Sequence, residues 1–454
     1  MLDNPTKYSI ILLCVAFTSI GFLLYYLDGV HPYGRSFSPT GAVIYEEKPH
    51  KDLSDHVVRV LIIPKSASLA QELKAEVSLD VRHEFGKKFS ADVKRKDIPA
   101  LLSKADVVEV AQYEIQLRND WGPQGRAVCG DMTCQGNEPN SCPQDCGTTP
   151  FVRSCAPTNQ KAYNTLQVNG ASMSNGDGVV VAVLDTGARK DHPDLLENIA
   201  LCADTTTRGA RKGSCSDQSS VGHGTHTAGI IAAEGGPDGK GLIGVAPSAK
   251  LQIIRVCGAS GICYADDIAE GIDYAARSGA NIVSMSLGGA SDSSLIRDAI
   301  TRHPDILFIA AAGNSGPALD TINYPAANPG VIAVAANDID AIGAVFSSRG
   351  IDDDNDGLIS AREVELSAGG VAVESTHNDG CYSALSGTSF STPTVAGVAA
   401  AVWDIADGTL DGKGNAASTR LYLRSIAHDV IIANGGGAES GYDVQSGYGI
   451  PVIQ

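Results

Sequence analysis

Five stretches of this chain are apolar enough to leave little freedom in how it folds: VVVAVLDTG at 179–187, LQIIRVC at 251–257, ANIVSMSLGG at 280–289, DILFIAAAGN at 305–314 and VIAVAAND at 331–338. A strand with one wet face alternates apolar and polar residues, and these do not. Near-continuous apolar strands separated by helix-compatible sequence belong to parallel sheets covered by helices on both faces. The fold class expected is α/β, with an open, mostly parallel sheet flanked by helices.

Active sites of such sheets lie beyond the carboxyl ends of the strands. Asp185 closes the first apolar strand, His223 opens a helix-compatible run in GHGTHTAG, and Ser389 does so in SGTSFSTP. Alone, each has an ordinary explanation: a turn cap for Asp185, a helix N-cap for Ser389. His226, three residues after His223, makes an HxxH pair, but no third zinc ligand lies near it in sequence. Together an acid, an imidazole and a hydroxyl at element boundaries meet the needs of acyl transfer. Ser389 is the expected nucleophile, His223 the proton carrier and Asp185 the group that fixes the imidazole tautomer. Asn314, after the fourth apolar strand, is the expected side-chain donor to an oxyanion, with the Ser389 backbone N–H beside it.

Ahead of this region the chain changes texture. Residues 9–27 carry no charge and reach about 28 Å as a helix, close to one bilayer core, with Lys7 the one cation before them. A transmembrane helix or signal anchor is expected there, with 1–8 in the cytoplasm and the remainder outside the cell membrane; a cleaved signal peptide, releasing the product extracellularly, is the competing reading. A polar linker at 28–55 follows. Residues 56–118 then read as strand, helix, two strands, short helix and a last strand in VVEVAQYEIQL, the order of a ferredoxin-like α+β module. Cys129, Cys134, Cys142 and Cys146 crowd an insert at 119–148 with almost no large apolar residues, which needs staples to fold. Apart from Cys14, ten cysteines lie beyond residue 128, an even number that fits disulfides in an oxidising compartment. The net charge of -18 argues against nucleic acid as a partner.

The motifs VAVLDTG, GHGTHTAG, SMSLGG, AAAGNSG and SGTSFSTP, in that order, resemble those of the subtilisin-like serine proteases, over roughly 149–454. The resemblance implies a serine endopeptidase acting on polypeptides, with Asp185, His223 and Ser389 as triad and Asn314 as oxyanion donor. It implies that 56–118 is an inhibitory, chaperone-like propeptide removed by the enzyme's own site, so that the chain is a zymogen. Substrate would pair with two strands, at Gly258, Ala259, Ser260 and Gly261 and at Ser286, Leu287 and Gly288. Asn323 falls at the base of the first specificity pocket, and Cys257 and Cys263 are placed to close a small loop. Phe390, Ser391, Thr392 and Thr394 depart from the residues that the family often has there.

One motif is foreign to that pattern. In DDDNDGLISARE the oxygens of Asp352, Asp354, Asp356, Ser360 and Glu363 and the Leu358 carbonyl fall at the positions of an EF-hand calcium loop. The flanks AVFSSRG and VELSAGGVAVEST alternate as strands do, so an EF-hand module is not expected. A structural calcium staple on a surface insertion is the expectation, with a solvated acidic turn as the alternative. A catalytically silent calcium-binding or adhesion protein on the same fold is the rival reading of the whole chain.

Overall fold

The computed structural model describes residues 35–37, 43–45, 56–75, 79–117, 155–171, 175–351, 361–406, 414–430 and 442–454. The expected membrane segment 9–27, the cysteine-rich insert 119–148 and residues 352–360 of the acidic loop lie outside them. None of the described helices is long and apolar enough to cross a membrane.

The apolar strands assemble into an eight-stranded sheet in the order Arg211–Lys212, Ile199–Asp204, Lys250–Arg255, Val180–Asp185, Ile282–Met285, Leu307–Ala311, Val331–Asn337 and Leu366–Gly369. Every pairing is parallel except that of the two-residue edge strand Arg211–Lys212. Alternate residues of one strand serve opposite cores. Val181 and Val183 pack with the helices His223–Ala232 and Thr388–Val402. Ala182 and Leu184 face the other way, onto Ile268 and Ile272 of Ala265–Arg277 and Leu295 and Ala299 of Ser294–Arg302. Both faces are dry, which is why no polar alternation marks these strands. The chain enters this sheet at Val180–Asp185 and adds strands first on one side and then on the other. The switch point of the order is therefore at the carboxyl end that carries Asp185.

All fifteen residues of Thr388–Val402 are buried. A Cβ at Gly397 would come within 2.6 Å of Val245, so only glycine permits the approach. Pro393 lacks the N–H that would bond to the Ser389 carbonyl one turn earlier. The Ser286 hydroxyl, at 2.7 Å, donates to that carbonyl instead and ties the helix start to the strand end beside it.

The second unit is an antiparallel sheet in the order Arg35–Phe37, Val43–Tyr45, Ala105–Glu109, Val57–Pro64, Lys88–Lys94 and Asp80–Phe85. The helices Ala67–Ala75 and Ile98–Leu102 cover one face, burying Val60, Ile62, Leu73, Phe89, Ile98 and Leu101 in a core of its own. The expected ferredoxin-like order holds for 57–109. Two details differ from expectation. The linker 28–55 contributes two strands of three residues, too short for alternation to reveal. The last strand of the module is two: pairing on this sheet stops at Glu109, and Gln112–Ile115 joins another sheet.

The flank AVFSSRG is also not a strand. Its residues cap neighbouring strands: the Ser347 hydroxyl accepts from the Ala336 N–H, and the Ser348 N–H reaches the Gly313 carbonyl. Small polar residues take on that task where a strand would need its own partner. Three disulfides join described residues: Cys155–Cys381, Cys202–Cys215 and Cys257–Cys263.

Candidate active site

Asp185 is carried to the end of its strand, where its carboxylate accepts from the Thr186 N–H at 2.7 Å and meets His223 Nδ1 at 2.7 Å. Both side chains are almost fully buried. An acceptor-only carboxylate on Nδ1 requires the proton there, which leaves Nε2 as the acceptor. Nε2 is itself buried and has no hydrogen-bond partner among the described residues. A tight approach fixes the pair: a Cβ at Gly224 would stand 2.1 Å from the Gly187 carbonyl. The helix start is held by residues that no motif announced. Ser219 Oγ accepts from the His223 N–H, and Asp217 takes the Thr225 N–H and hydroxyl and the Thr186 hydroxyl. They lie in a polar loop, and only their two-residue spacing, which suits an Asx turn, hinted at structure.

Ser389 is the second residue of the helix Thr388–Val402, after Gly387 at φ 148°. Its hydroxyl donates to the Ser286 carbonyl at 3.0 Å. Asn314 is oriented by the same turn: its carbonyl oxygen accepts from the Thr388 N–H and hydroxyl, both at 3.0 Å, so its NH2 points the other way. That nitrogen is buried without a hydrogen-bond partner among the described residues. A donor kept dry and unpaired beside a helix N-terminus is arranged for charge that appears only during reaction.

His226 is not paired with His223 on a metal. Its Nε2 donates to the Ser383 carbonyl at 3.0 Å, its ring stands edge-on to Phe390, and burial holds its pKa down at about 3. The departures at the helix are absorbed locally, since the Thr394 hydroxyl donates to the Phe390 carbonyl and accepts from Asn164.

The cleft is already occupied by this chain. Gln112–Ile115 lies between Ile262–Tyr264 and Leu287–Gly288, antiparallel to both. The Gln116 N–H donates to the Ser286 carbonyl at 3.2 Å, and the Gln116 carbonyl accepts from the Ser389 N–H at 3.4 Å. Ser286, Leu287 and Gly288, the residues expected to pair with substrate, pair here with this chain's own segment. On the other side the pairing is displaced along the chain. Gly258 to Gly261 close a turn, the Gly261 N–H bonding the Gly258 carbonyl, and pairing begins at Ile262 apart from the Ile115 N–H on the Gly261 carbonyl. Asn323 lines the same cleft, its amide donating to Gln116 Oε1 at 3.2 Å. The rest of the cleft, about 430 Å³, is lined by polar groups that include Ser219, Ser260, Asn314 and Ser315.

Of the expected calcium ligands, Glu363 alone is described, and it is buried beside the edge strand Leu366–Gly369. That strand is four away from Val180–Asp185 in the sheet order.

Comparison with known proteins agrees with this geometry. A profile described as "Subtilase family" matches residues 176–449. A curated subtilisin of Bacillus sp. (strain TA39) is 40% identical over 308 residues, which cover 64% of this chain and 70% of the relative. An intracellular serine protease of Paenibacillus polymyxa is 35% identical over 275 residues, 58% of this chain and 77% of that protein. Among solved structures, sphericase superposes with a TM-score of 0.60 at 37% identity, covering 65% of this chain and 99% of that one.

Proposed function

The chain belongs to the subtilase family and is a serine endopeptidase, and from that premise we propose that Asp185, His223, Ser389 and Asn314 carry out hydrolysis in an enzyme made as a membrane-tethered zymogen. Ser389 turns its hydroxyl from the Ser286 carbonyl to His223 Nε2 and attacks the substrate carbonyl as the imidazole takes its proton. Asp185 stabilises the imidazolium, and the Asn314 amide and the Ser389 N–H receive the oxyanion. The imidazolium then protonates the leaving amine, and water, activated by the same nitrogen, frees the acyl group. Substrates are polypeptides, held in extended form by main-chain pairing that is indifferent to sequence.

The observation that carries the zymogen reading is the placement of Gln112–Ile115 as the middle strand of the cleft with the Gln116 carbonyl on the Ser389 N–H. Residues 56–118 are the inhibitor, and charge seats them. Arg59 bonds Asp267 at 2.8 Å and Asp266 at 3.4 Å and lies 3.9 Å above the Tyr264 ring, while His83 meets Asp267 at 2.9 Å. Residues 56–118, which have a core of their own, are expected to inhibit the mature enzyme when added as a separate chain. Arg59→Ala should weaken that inhibition about 30-fold or more, because it takes the guanidinium from two carboxylates that stay buried and leaves Asp267 to His83 and Arg82. Titration of the inhibition constant checks both, and an isolated segment that neither slows hydrolysis nor assists refolding would be some other module. The tether is residues 9–27, supported by their uncharged length.

Calcium belongs to stability. The donor set of Asp352, Asp354, Asp356, Leu358, Ser360 and Glu363, all oxygen, suits a hard cation of high coordination number. A metal bound only by the folded chain adds about 2.7 kcal/mol at a hundredfold excess over Kd. Chelation should therefore lower the melting temperature of the mature enzyme while leaving turnover unchanged where it stays folded. Asp354→Asn with Glu363→Gln should reproduce the loss and make chelator silent. An unchanged melting temperature in both experiments would reduce the loop to an acidic turn.

A further inference from the structure

Gln116 is 5% exposed, and the groups across the cleft meet its side chain at two points of opposite polarity, its Nε2 also reaching the Glu114 carbonyl of its own segment at 3.2 Å. Its Nε2 donates to the Gly288 carbonyl at 3.2 Å, and its Oε1 accepts from Asn323 Nδ2 at 3.2 Å. The backbone carbonyl settles the orientation of both amides, since a carbonyl can only accept. Nε2 must face Gly288, Oε1 must face Asn323, and Asn323 must therefore present its NH2. Asn323 is held there by its own N–H on the Ala312 carbonyl and by walls without side chains. A Cβ at Gly288 would come within 2.8 Å of Asn323, and one at Gly313 within 2.9 Å of its amide.

The geometry points to a first specificity pocket that selects a primary amide, glutamine before all others, and to the Gln116–Leu117 bond as the one the enzyme cuts in its own precursor. This deepens the endopeptidase and zymogen reading above and rests on it. A glutamate would set a carboxylate oxygen against the Gly288 carbonyl, two acceptors with no proton between them. A lysine offers no acceptor to Asn323, and a leucine leaves both pocket groups unpaired. Leu117, on the far side of the bond, packs against the cluster of Ile230, Val373 and Phe390. A Cβ on Gly387 would stand 2.3 Å from the Gln116 oxygen, so glycine there is what lets the carbonyl enter.

In the reaction Ser389 Oγ bonds to the Gln116 carbonyl carbon as its proton passes to His223. The carbon–nitrogen bond then breaks, and that proton leaves on the Leu117 nitrogen. Water next displaces Ser389 from the acyl group, giving the Gln116 carboxylate and restoring the hydroxyl.

The test uses the mature enzyme and quenched fluorescent peptides of the form Tyr-Glu-Ile-X-Leu-Arg, with X as Gln, Glu, Leu or Lys, while a fluorophosphonate probe reports Ser389. The expected result is kcat/KM for Gln above each other peptide by about tenfold to a hundredfold. Asn323→Ala should collapse the ratio of Gln to Leu by a similar factor, which a loss of fold would not do selectively. The first fragment released from the full chain should end at Gln116 by intact mass. A flat or Leu-first profile in an enzyme whose Ser389 is labelled would overturn the pocket assignment and leave the endopeptidase standing. A first cut at another bond would overturn the maturation site. An enzyme that is not labelled and hydrolyses none of the peptides would bring down the endopeptidase reading and this one with it.

Discussion

Exchanging Ser389 for alanine is expected to lower kcat for peptide hydrolysis by about 10⁶, the factor belonging to subtilisin's own nucleophile, and to leave the full-length chain uncut. Among the described residues the hydroxyl makes one hydrogen bond, to the Ser286 carbonyl. That carbonyl keeps the Gln116 N–H, so the fold loses little. What disappears is the bond-forming atom itself, and the remaining donors can only bind. Intact mass of the purified variant reads the second half of the expectation, because a cleft that cannot cut keeps its precursor whole. The same uncut chain should sediment with membranes and need detergent for release if residues 9–27 anchor it. Wild-type hydrolysis by this variant, from a host without other proteases, would end the assignment.

Asp185→Asn should cost about 10⁴ in kcat, with the melting temperature nearly unchanged. The substitution keeps the shape but not the requirement for a proton on His223 Nδ1, and because Thr186 N–H and His223 Nδ1 share Asp185 Oδ1, an NH2 turned to the ring also gives up the bond from Thr186. An amide turned with its NH2 toward the ring forces the other tautomer, and Nε2 then carries a hydrogen where it must accept one from Ser389. The buried imidazolium also loses its counter-charge within a pair that is 0% and 1% exposed at the side chains. The defect should fall on kcat rather than KM, because the substrate contacts on Ser286, Gly261 and Gly288 are untouched. A variant within tenfold of wild type would show that Asp185 is a turn cap and no more.

The central sheet was legible because its strands bury both faces, and a short, β-branched run without polar alternation such as VVVAVL is what a parallel sheet between helix layers requires. The candidate site was legible because Asp185, His223, Ser389 and Asn314 each stand at an element boundary with glycines nearby that permit close approach. Legibility failed where position depends on residues far away in sequence. Nothing local in VVEVAQYEIQL says that Gln112–Ile115 leaves its sheet, since the partners that take it, Ile262–Tyr264 and Leu287–Gly288, are about 150 residues on. The turn at Gly258 to Gly261 shows in its glycines, but its register against a substrate does not. Asp217 and Ser219 support His223 from a loop whose sequence is merely polar. AVFSSRG alternates as a strand would, yet its hydroxyls are drawn to the ends of neighbouring strands.

If residues 56–118 are the inhibitor proposed above, Gln112–Ile115 is attached to the cleft it fills, and this sets how activity would first appear in a population of molecules. Until the bond after Gln116 breaks, the local concentration of inhibitor at each site is fixed by the connecting chain, and dilution has no bearing on it. Once the bond is cut, the same contacts must survive as a complex between two molecules, whose occupancy falls as the solution is diluted. The first enzyme to lose its inhibitor can digest the inhibitors released by others, which removes the competitor they would otherwise rebind. Onset should therefore show a lag followed by acceleration, with the length of the lag set by the slow departure of a few early inhibitors and not by the rate of the first cut.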